Sequence, residues 1–408
     1  MIKILSFGYM PTWAGGKVET GLANVMYQLS YHIAKNKDIS MTMAALDYNS
    51  IEGVKDNLHL LGWSRKLLVW FMLCHPIMSI NSLFRTFIYK RKYCEVISIP
   101  KHFFKMLFLR YAILKTKPDV VHLHGALAVV YEKLVPKDVS IVVTIHGNVG
   151  DDANIKHHEQ YAKAERDTFH SKRINTICFI ASHLVNLFKK NYGYITPRTK
   201  VILNAYDKGQ FYYEKDEYAH SLSDREVAVR SGGTTLCTVA SLSDRKGQLR
   251  VLSGLTSMPD RKKYNYFCIG ADPHSLADTL IRYAQENGID FNYLGAMPPD
   301  KIRKHLYCAD FMIMPSSSEG FGLTYLEAIA CGTPVVVPKH LPIAKEPGLL
   351  TEDNAVFIED STVESIAAIL PKLSQMRFDK RKVSKTVESV SWDSIAKQYA
   401  ELYEDVCK

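Results

Sequence analysis

The chain has 408 residues, 47% of them hydrophobic, and a formal net charge of +9. This size predicts a large core divided between two domains. The eight cysteines are scattered without a CxxC pair, which favours reduced thiols in a cytosol over a disulfide framework or a zinc site. No apolar run reaches the roughly 18 residues of a transmembrane helix, so we expect a soluble or peripheral protein.

Short apolar runs alternate with amphipathic segments through the first half of the chain. The opening MIKILSFGYM is too short for the core of a signal peptide and lacks a small-residue cleavage site, so it predicts a buried strand. Helical spacing of apolar residues predicts a helix over residues 19–35. Further strands are predicted over residues 39–45, 120–124, 141–145, 177–181 and 201–203.

Positive charge is concentrated between residues 63 and 117. This stretch holds eleven Lys or Arg and one acid, Glu95, interleaved with apolar runs such as LLVWFMLCHPIMSI. Basic residues among Trp, Phe, Leu and Met suit a surface that lies on an anionic bilayer, at roughly 1 kcal/mol per basic residue. The alternative is a set of core-packed helices with a solvated basic face. We predict the membrane-facing patch, and no recognised motif supports nucleic acid as a partner.

The alternation restarts after residues 208–234, a charged, tyrosine-rich and then glycine-rich segment that predicts an interdomain linker or a variable surface. Strands are then predicted over residues 236–240, 266–270, 291–295, 311–315 and 335–337, separated by helical segments. Strands alternating with helices indicate parallel sheets. We therefore predict an α/β protein with two Rossmann-like domains facing across a cleft, a preferred place for ligands.

Glu319 and Glu327 lie eight positions apart across the join between a predicted strand and a predicted helix. The segment reads SEGFGLTYLEAIACGTPVVV, with Gly320 and Gly322 at the turn and Gly332 after the helix. Glu319 therefore stands at the carboxyl end of a strand, where open α/β sheets bind ligands. The helix start offers backbone N–H groups to a phosphate or diphosphate. A nucleotide-sugar has hydroxyls for carboxylates and a diphosphate for the helix start.

Two other interpretations of this segment are weaker. A glycosidase needs two carboxyl groups about 5 Å or roughly 6.5–9.5 Å apart on opposite sides of a bond. Eight residues along a turn and a helix separate these two by on the order of 10 Å, at about 1.5 Å rise per helical residue. A dinucleotide-binding fingerprint needs a third glycine, which GFGLTY lacks.

Three further segments follow predicted strands. Arg245 and Lys246 occupy the turn ASLSDRKG, where a guanidinium fork and an ammonium suit a bound diphosphate. An ordinary solvated basic turn is the alternative there. Gly15 and Gly16 permit close approach of the backbone to a ligand. His146, in VVTIHGN, can donate a hydrogen bond to a sugar hydroxyl or stabilise a developing charge.

No metal site is predicted. His122 and His124 are two apart on a strand and share a face, but no third ligand stands at metal spacing nearby. The adjacent His157 and His158 diverge on a predicted helix. The sequence also lacks an Asp-x-Asp motif.

Together these segments resemble glycosyltransferase family 4, a group of retaining, nucleotide-sugar-dependent GT-B enzymes. The specific feature is Glu-x7-Glu, present as Glu319-GFGLTYL-Glu327 and followed by AIACGTPVV. VVTIHG resembles the strand whose histidine lies beside the donor sugar, which here is His146. The pair Gly15 and Gly16 resembles the glycine-rich loop on the acceptor side.

One departure from the family pattern concerns the basic turn. The family usually carries an arginine five residues before the lysine, and this chain has Ser241 there. Lys246 is kept, and the neighbouring Arg245 is expected to supply the missing charge. Diphosphate binding is therefore expected to be rearranged, not lost.

The resemblance implies a role for each site residue. Glu319 would hold hydroxyls of the donor sugar, and Glu327 would hold the ribose. The helix start would neutralise the leaving diphosphate together with the basic turn. The expected catalytic residues are Glu319, His146 and Lys246. The expected donor-binding residues are Arg245, Lys246, Glu319, Gly322, Leu323, Thr324 and Glu327. Gly15 and Gly16 would lie on the acceptor side, and neither a metal nor a resident cofactor is expected.

The resemblance also implies an architecture and an activity. Residues 1–205, joined by a terminal helix in 391–408 that crosses back, would form the acceptor-side domain, and 206–390 the nucleotide-sugar domain. The expected reaction transfers a sugar, from a UDP-sugar ahead of a GDP-sugar, to a lipid-linked saccharide in envelope polysaccharide assembly. The protein would act on the cytoplasmic face of the membrane, attached through residues 63–117. A 2-epimerase or hydrolase of GT-B fold, or a non-catalytic partner subunit, are the alternatives.

Overall fold

The computed structural model describes residues 1–18, 21–125, 127–147, 157–193, 198–218 and 233–408. The chain forms two compact units, Met1–Asn204 with Trp392–Lys408, and Ala205–Ser391. The sequence analysis predicted the two domain boundaries between residues 205 and 206 and between residues 390 and 391. Each unit is an α/β domain with its own sheet, which confirms the predicted fold class. Most of the predicted linker, residues 219–232, falls outside the described residues.

The first unit is built on an eight-stranded sheet. Its strands are β1 (Ile2–Gly8), β2 (Ile39–Ala45), β3 (Glu52–Lys55), β4 (Leu58–Leu61), β5 (Val120–His124), β6 (Ser140–Ile145), β7 (Thr176–Phe179) and β8 (Thr199–Val201). Their order across the sheet is β3-β4-β2-β1-β5-β6-β7-β8. Only β3 and β4 pair antiparallel. Strands β1, β2, β5 and β6 are almost wholly buried, as expected for parallel strands covered by helices on both faces.

Among the described residues of this unit, seven helices connect its strands. They are α1 (Gly21–Ile33), α2 (Arg65–Cys74), α3 (Pro76–Tyr93), α4 (Ile99–Thr116), α5 (Ala128–Tyr131), α6 (His158–Phe169) and α7 (Ser182–Tyr192). Short 3-10 turns cover Thr12–Ala14, Cys94–Val96 and Glu132–Leu134. Within the described ranges, no helix alone has the length and hydropathy needed to cross a membrane. Helices α2 and α3 meet that criterion only as a pair, across a bend of 113°.

The second unit has a six-stranded, wholly parallel sheet. Its strands are β9 (Thr234–Val239), β10 (Tyr264–Ile269), β11 (Asp290–Tyr293), β12 (Phe311–Ile313), β13 (Val335–Pro338) and β14 (Ala355–Ile358). They are ordered β11-β10-β9-β12-β13-β14. This is the doubly wound order of Rossmann folds, in which the direction of winding reverses between the first and fourth strands. The reversal lies between β9 and β12, which pair directly.

Helices flank this second sheet. They are α8 (Gln248–Thr256), α9 (Ala277–Glu286), α10 (Pro299–Cys308), α11 (Leu323–Ala330), α12 (Val363–Leu373) and α13 (Lys380–Lys385). Further 3-10 turns cover Asp244–Lys246, Arg261–Lys263 and Pro342–Lys345. Helices α8 and α12 bury leucines, valines and isoleucines in a core shared with β9 and β10.

The last helix, α14 (Trp392–Cys407), returns to the first unit as predicted. It packs along α1, where Nδ1 of His32 lies 2.6 Å from Oδ1 of Asp393. Its fully buried Tyr403 hydroxyl lies 2.7 Å from Nδ1 of His122 in β5. This helix is therefore part of the first domain's core, although about 190 residues of chain separate it from that domain.

Several predicted elements were misplaced. The sequence interpretation missed β3, β4 and β14, whose four residues each are too few to establish a period. It put the last strand of the first half at residues 201–203, whereas β8 covers Thr199–Val201. It also extended β12 to Pro315, but the strand ends at Ile313. Proline has no N–H to donate to a sheet.

Candidate functional site

The loops that follow β9 and β12 meet at the reversal point of the second sheet. The backbone N–H of Ser317, in the loop after β12, donates to the carbonyl of Arg245, in the loop after β9, at 2.9 Å. Arg250 at the start of α8 donates from Nη2 to the carbonyl of Pro315 at 2.9 Å. Segments more than 60 residues apart in sequence are thereby joined at the sheet edge where doubly wound folds bind ligands.

An ion pair between Lys246 and Glu319 spans this point. Nζ of Lys246 lies 2.6 Å from Oε1 of Glu319, and the two side chains are only 12% and 9% exposed. The guanidinium of Arg245 approaches the same oxygen at 3.3 Å from a more exposed position. Its Nη1 also donates to the carbonyl of Ser318 at 2.6 Å. Three of the predicted site residues thus form one cluster of two cations and one carboxylate.

Local sequence explains how the basic turn holds its shape. Ser243 caps the 3-10 turn, accepting a hydrogen bond from the backbone N–H of Lys246 at 3.4 Å. Gly247 follows with φ of 82°, and a Cβ there would lie 2.7 Å from the carbonyl oxygen of Pro315. A side chain at position 247 would therefore be strained and would push the two loops apart. The carbonyl of Ser241 accepts from Gln248 at 3.1 Å.

Burial has the largest effect on the pKa of Lys246 in this cluster. Burial lowers the pKa of Lys246 below its usual value, although Glu319 opposes that shift and Arg245 adds to it. A buried ammonium beside a second cation is strongly stabilised by negative charge. The cluster can therefore exchange its internal carboxylate partner for a bound anion, or share its cations between the two.

The start of α11 provides hydrogen-bond donors in the same unit. Gly322, at φ of 101°, precedes the helix, and no side chain caps it. A Cβ at Gly322 would lie 2.8 Å from the ring of Tyr325. The backbone N–H groups of Leu323 and Thr324 occupy the first turn, where helical N–H groups have no partner within the helix. An uncapped helix start favours an anion, and anion binding at this position stays a prediction.

Glu327 lies one turn further along α11. Burial and, to a smaller extent, the nearby Asp207 raise the pKa of Glu327 to about 7. Across the described residues its carboxylate has no hydrogen bond or ion pair. A carboxylate with no donor is costly to bury, and a ligand hydroxyl would supply one. Asp207 was missed in the sequence, because only the fold brings residue 207 to α11.

This raised pKa predicts a pH-dependent stability. Between the unfolded pKa near 4.5 and the folded value of about 7, the native state binds more protons than the unfolded state. The stabilisation is therefore complete below the lower value and is lost as pH rises through the upper one. We expect Glu327→Gln to match the wild type at pH 4.5 and to exceed it by about 1–3 kcal/mol at pH 8. Urea denaturation at the two pH values measures this.

The matched control is Glu352→Gln, which makes the same change at an exposed position of the same unit. It should shift the free energy of unfolding by no more than about 0.5 kcal/mol at either pH. If Glu327→Gln raised the free energy of unfolding equally at pH 4.5 and pH 8, titration of the Glu327 carboxylate would not explain the gain.

The predicted glycines of the first unit form a tight turn. Gly15 ends the 3-10 turn at φ of 103°, and the N–H of Gly16 donates to the carbonyl of Pro11 at 3.0 Å. A Cβ at Gly16 would lie 2.1 Å from the carbonyl oxygen of Met10. Both positions therefore require glycine for backbone reasons. Their role on the acceptor side stays a prediction.

His146 lies just after β6 in the first unit, in contact with the histidines of β5. Its Nε2 lies 3.0 Å from Nδ1 of His124, and the ring of His124 stacks on that of His122 with centroids 4.3 Å apart. Burial lowers the pKa of His146 to about 3, so the ring is neutral near pH 7. Its Nδ1 has no hydrogen-bond partner in the described part of the chain.

The sequence showed no third ligand at metal spacing beside His122 and His124, and the fold adds His146, which follows β6, next to them. Parallel pairing of β5 with β6 brings the rings together. Their nitrogens bond to one another and to hydroxyls instead of converging on one point. Within the described residues, no three His, Cys, Asp or Glu side chains are arranged to hold a metal ion. Metal independence stays a prediction.

Comparison with known proteins supports a function for this cluster. Residues 222–390 match the family of glycosyl transferases group 1. This segment lies within the second unit and is similar to that family. D-inositol 3-phosphate glycosyltransferases from Corynebacterium glutamicum and Corynebacterium kroppenstedtii are 27% and 28% identical over 209 and 224 residues. The lipopolysaccharide glucosyltransferase WaaG of Escherichia coli is 23% identical over 181 residues.

The matched stretch covers 48%, 51% and 44% of this chain in those three comparisons. It spans about half the length of each relative, 49%, 48% and 48% respectively. The similarity to group 1 glycosyl transferases in the family comparison thus falls within the second unit.

Solved structures extend the likeness to the whole chain. Sucrose-phosphate synthase from Thermosynechococcus elongatus gives a TM-score of 0.73 at 15% identity and covers 100% of this chain and 99% of its own. HepE of Anabaena, solved with UDP and glucose, gives 0.69 at 15% identity over 99% of this chain and 100% of its own. WaaG gives 0.63 at 15% identity over 100% and 98%. At such identities the likeness shows the fold alone, which is GT-B.

Proposed function

We propose that this protein is a glycosyltransferase that moves a sugar from a nucleotide diphosphate to an acceptor, with retention of configuration. The observation that carries this is the largely buried ion pair of Lys246 and Glu319, with the half-exposed Arg245 beside it, at the reversal point of the second sheet. It lies in the same unit as the uncapped start of α11, and both features suit a diphosphate. A scaffold role would not need a largely buried lysine with a lowered pKa.

Each residue has a chemical task in this proposal. Lys246 and Arg245, with the N–H groups that follow Gly322, would stabilise the charge that develops on the diphosphate as it leaves. Glu319 would accept hydrogen bonds from hydroxyls of the donor sugar, and Glu327 would accept them from the ribose. Glu319 holds Lys246 in position at 2.6 Å, so little reorganisation would be needed when a diphosphate binds.

We propose UDP as the donor nucleotide, supported by the HepE structure solved with UDP and glucose. The test is calorimetric titration of UDP, GDP and ADP into the intact chain. We expect UDP to bind at least tenfold more tightly than GDP or ADP and to raise the melting temperature as a bound ligand must. Equal affinity for the three nucleotides would reject the assignment of the base, and no binding of any would reject the donor site.

The ribose role of Glu327 gives this titration a second readout. A carboxylate accepts hydroxyl hydrogens better than a protonated acid does, and the pKa of Glu327 is raised to about 7. UDP affinity should therefore rise from pH 6 to pH 8 in the wild type by several-fold more than in Glu327→Gln. Because the phosphates of UDP titrate in both proteins, only the difference between them reports on this residue. Parallel pH profiles would remove Glu327 from the nucleotide site.

We propose that the acceptor is attached to a lipid and that the protein works at a membrane surface. The support is an apolar helix face on α2 and α3. Nine large side chains of these helices are exposed: Val69, Trp70, Leu73, Ile77, Ile80, Leu83, Phe84, Phe87 and Ile88. Exposure of so many large apolar side chains on two neighbouring helices is unusual for a protein surface that meets only water.

This exposure favours the membrane-facing interpretation over the core-packed one. Other residues of the two helices, among them Leu68, Phe71 and Thr86, are buried. Phe71 contacts Tyr111 of α4, and Thr86 donates to Met106 of the same helix. Arg65, Lys66 and Arg91 are exposed on the same two helices. Apolar side chains accompanied by basic ones suit insertion among the headgroups of anionic lipids.

A further inference from the structure

A pocket of about 370 Å³ lies in the first unit, to which all of its lining residues belong. It is lined by the carboxyl ends of β1 and β5 and by the start of α4. The strand order of the first sheet reverses between β1 and β5, so the pocket occupies the position at which doubly wound sheets bind ligands. Its volume suits one sugar ring with a small substituent.

Two lysines of α4 line this pocket without a carboxylate partner. Nζ of Lys105 donates to the hydroxyl of Tyr9 at 2.7 Å, and Lys101 adds a second ammonium. In the described ranges, neither lysine forms an ion pair. Burial lowers the pKa of Lys105 to about 8, which reflects an ammonium held in an apolar place with no negative charge beside it.

The carboxylate of Asp47 does not supply a negative charge to these two lysines. Its two oxygens accept hydrogen bonds from the backbone N–H groups of Met10 and Lys17, at 2.8 Å and 2.9 Å. Asp47 therefore stabilises the loop after β1 through these two hydrogen bonds. The positive charge of Lys101 and Lys105 remains available to a ligand.

His102 gives an independent indication that the pocket is built for a polar ligand. Its side chain lines the pocket, and the residue is only 4% exposed. Nδ1 of the ring bonds to the backbone of Ser98, at 3.0 Å from the carbonyl. Nε2 is buried and has no partner among the described residues. Buried polar atoms in native proteins nearly always have a partner, and a ligand hydroxyl in the pocket would be one.

Aromatic side chains form much of the remaining wall. Phe7, Tyr9, Tyr131 and Tyr161 contribute to the lining. Flat apolar faces beside a few placed polar groups are typical of sites for small molecules that combine apolar and polar surfaces. A sugar ring has both kinds of surface.

We propose that this pocket binds the acceptor sugar and selects one that carries an anionic group, a phosphate or a carboxylate. Lys105 and Lys101 pair with the anion, and Nε2 of His102 hydrogen-bonds a sugar hydroxyl. The assignment to the acceptor rests on the proposed transferase function, whereas the affinity for an anionic sugar does not. A neutral sugar of the same size would leave Lys105 buried without a counter-charge.

The test is calorimetry with glucose 1-phosphate, glucuronate and glucose, titrated into the intact chain in the presence of excess UDP. UDP keeps the phosphate probe out of the donor site. We expect one or both anionic sugars to bind at least tenfold more tightly than glucose, and the tighter of the two identifies the anion. Lys105→Met should lower that affinity about tenfold or more, as loss of a charged hydrogen bond predicts. Lys105→Arg should restore most of it.

Lys115→Met is the matched control, because it removes the same charge from the same helix at a residue paired with Glu52 outside this pocket. It should leave the affinity unchanged. Lys101→Met, at an exposed position, should lower affinity several-fold without affecting folding, and it decides the question if Lys105→Met does not fold. Glucose binding as tightly as the anionic sugars, or equal losses in the control and the pocket variants, would overturn the proposal.

Failure of the proposed function would look different. If UDP does not bind but glucose 1-phosphate or glucuronate still binds through Lys105, the anionic-sugar pocket stands and the donor assignment falls. If UDP binds and both anionic sugars fail, the transferase proposal stands and this pocket is not its anion site.

Discussion

Lys246→Met should lower the rate of sugar transfer about 100- to 1,000-fold, the loss seen when one preorganised donor to a developing negative charge is removed. Methionine keeps the length and apolar stem of lysine, so the loop after β9 should hold its shape. The variant removes the ammonium that lies 2.6 Å from Glu319. Arg245 alone, at 3.3 Å from that carboxylate and half-exposed, then remains to neutralise the diphosphate.

The assay follows transfer of label from a radioactive UDP-sugar to the lipid-soluble fraction of membranes, with donor affinity measured by calorimetry. We expect the rate to fall more than the affinity does, because the charge on the diphosphate grows as the sugar leaves. Circular dichroism and the melting curve establish that the variant is folded.

The second unit offers a closely matched control in Lys339→Met. Lys339 and Glu359 are also joined at 2.6 Å, but their side chains are 56% and 75% exposed. An exposed ion pair of this kind contributes about 0–1 kcal/mol to stability, and the variant should transfer sugar at the wild-type rate. If Lys246→Met is as active as Lys339→Met, the buried cluster is not the diphosphate site.

Replacing four residues of the apolar helix face with serine should lower binding to lipid vesicles by at least about 100-fold, since burial of large apolar side chains contributes about 1 kcal/mol or more each even when incomplete. The four are Trp70, Leu73, Ile77 and Phe84, each more than half exposed. Their removal leaves the buried contacts among α2, α3 and α4 unchanged, so folding should be retained. Flotation with vesicles of anionic and neutral lipid measures the effect.

The control replaces four apolar residues that are exposed elsewhere, Ile51, Val54, Val201 and Leu249, and it should bind vesicles like the wild type. A further variant neutralises the basic residues of the same region: Arg65, Lys66, Arg85, Lys90, Arg91 and Lys92. It should lose binding to anionic vesicles chiefly at low salt, since salt screens exposed charges. Wild-type binding by the serine variant would show that this face does not contact lipid.

Local patterns in the sequence were sufficient to select Lys246 and Glu319 as candidate site residues. Lys246 was recognisable because a basic turn follows an apolar strand and ends in glycine, and Glu319 because it precedes a glycine-bracketed helix start. Both signals lie within about ten residues of chain. What the sequence did not reveal is that the two side chains contact each other. That contact depends on β12 pairing with β9, 70 residues away along the chain.

The anionic-sugar pocket shows the opposite case. Tyr9, Lys105 and Tyr131 come from three distant segments, and His102 was hidden in a run of basic and apolar residues. No spacing rule connects them. The same holds for Asp207, whose carboxylate contributes to the raised pKa of Glu327. Sites assembled from several loops become visible only when the strand order is known.

The sequence alone determined the two α/β domains, the GT-B resemblance and the Glu319-x7-Glu327 segment, because strand and helix periods and glycine positions are local properties of the chain. It also located the basic, apolar stretch of residues 63–117. The tertiary structure decided that nine large apolar side chains of α2 and α3 are exposed. It also decided that Lys246 is paired and largely buried, and that Lys105 has no carboxylate partner among the described residues. These are properties of burial and of long-range strand pairing, and they depend on which distant segments exclude water from each side chain.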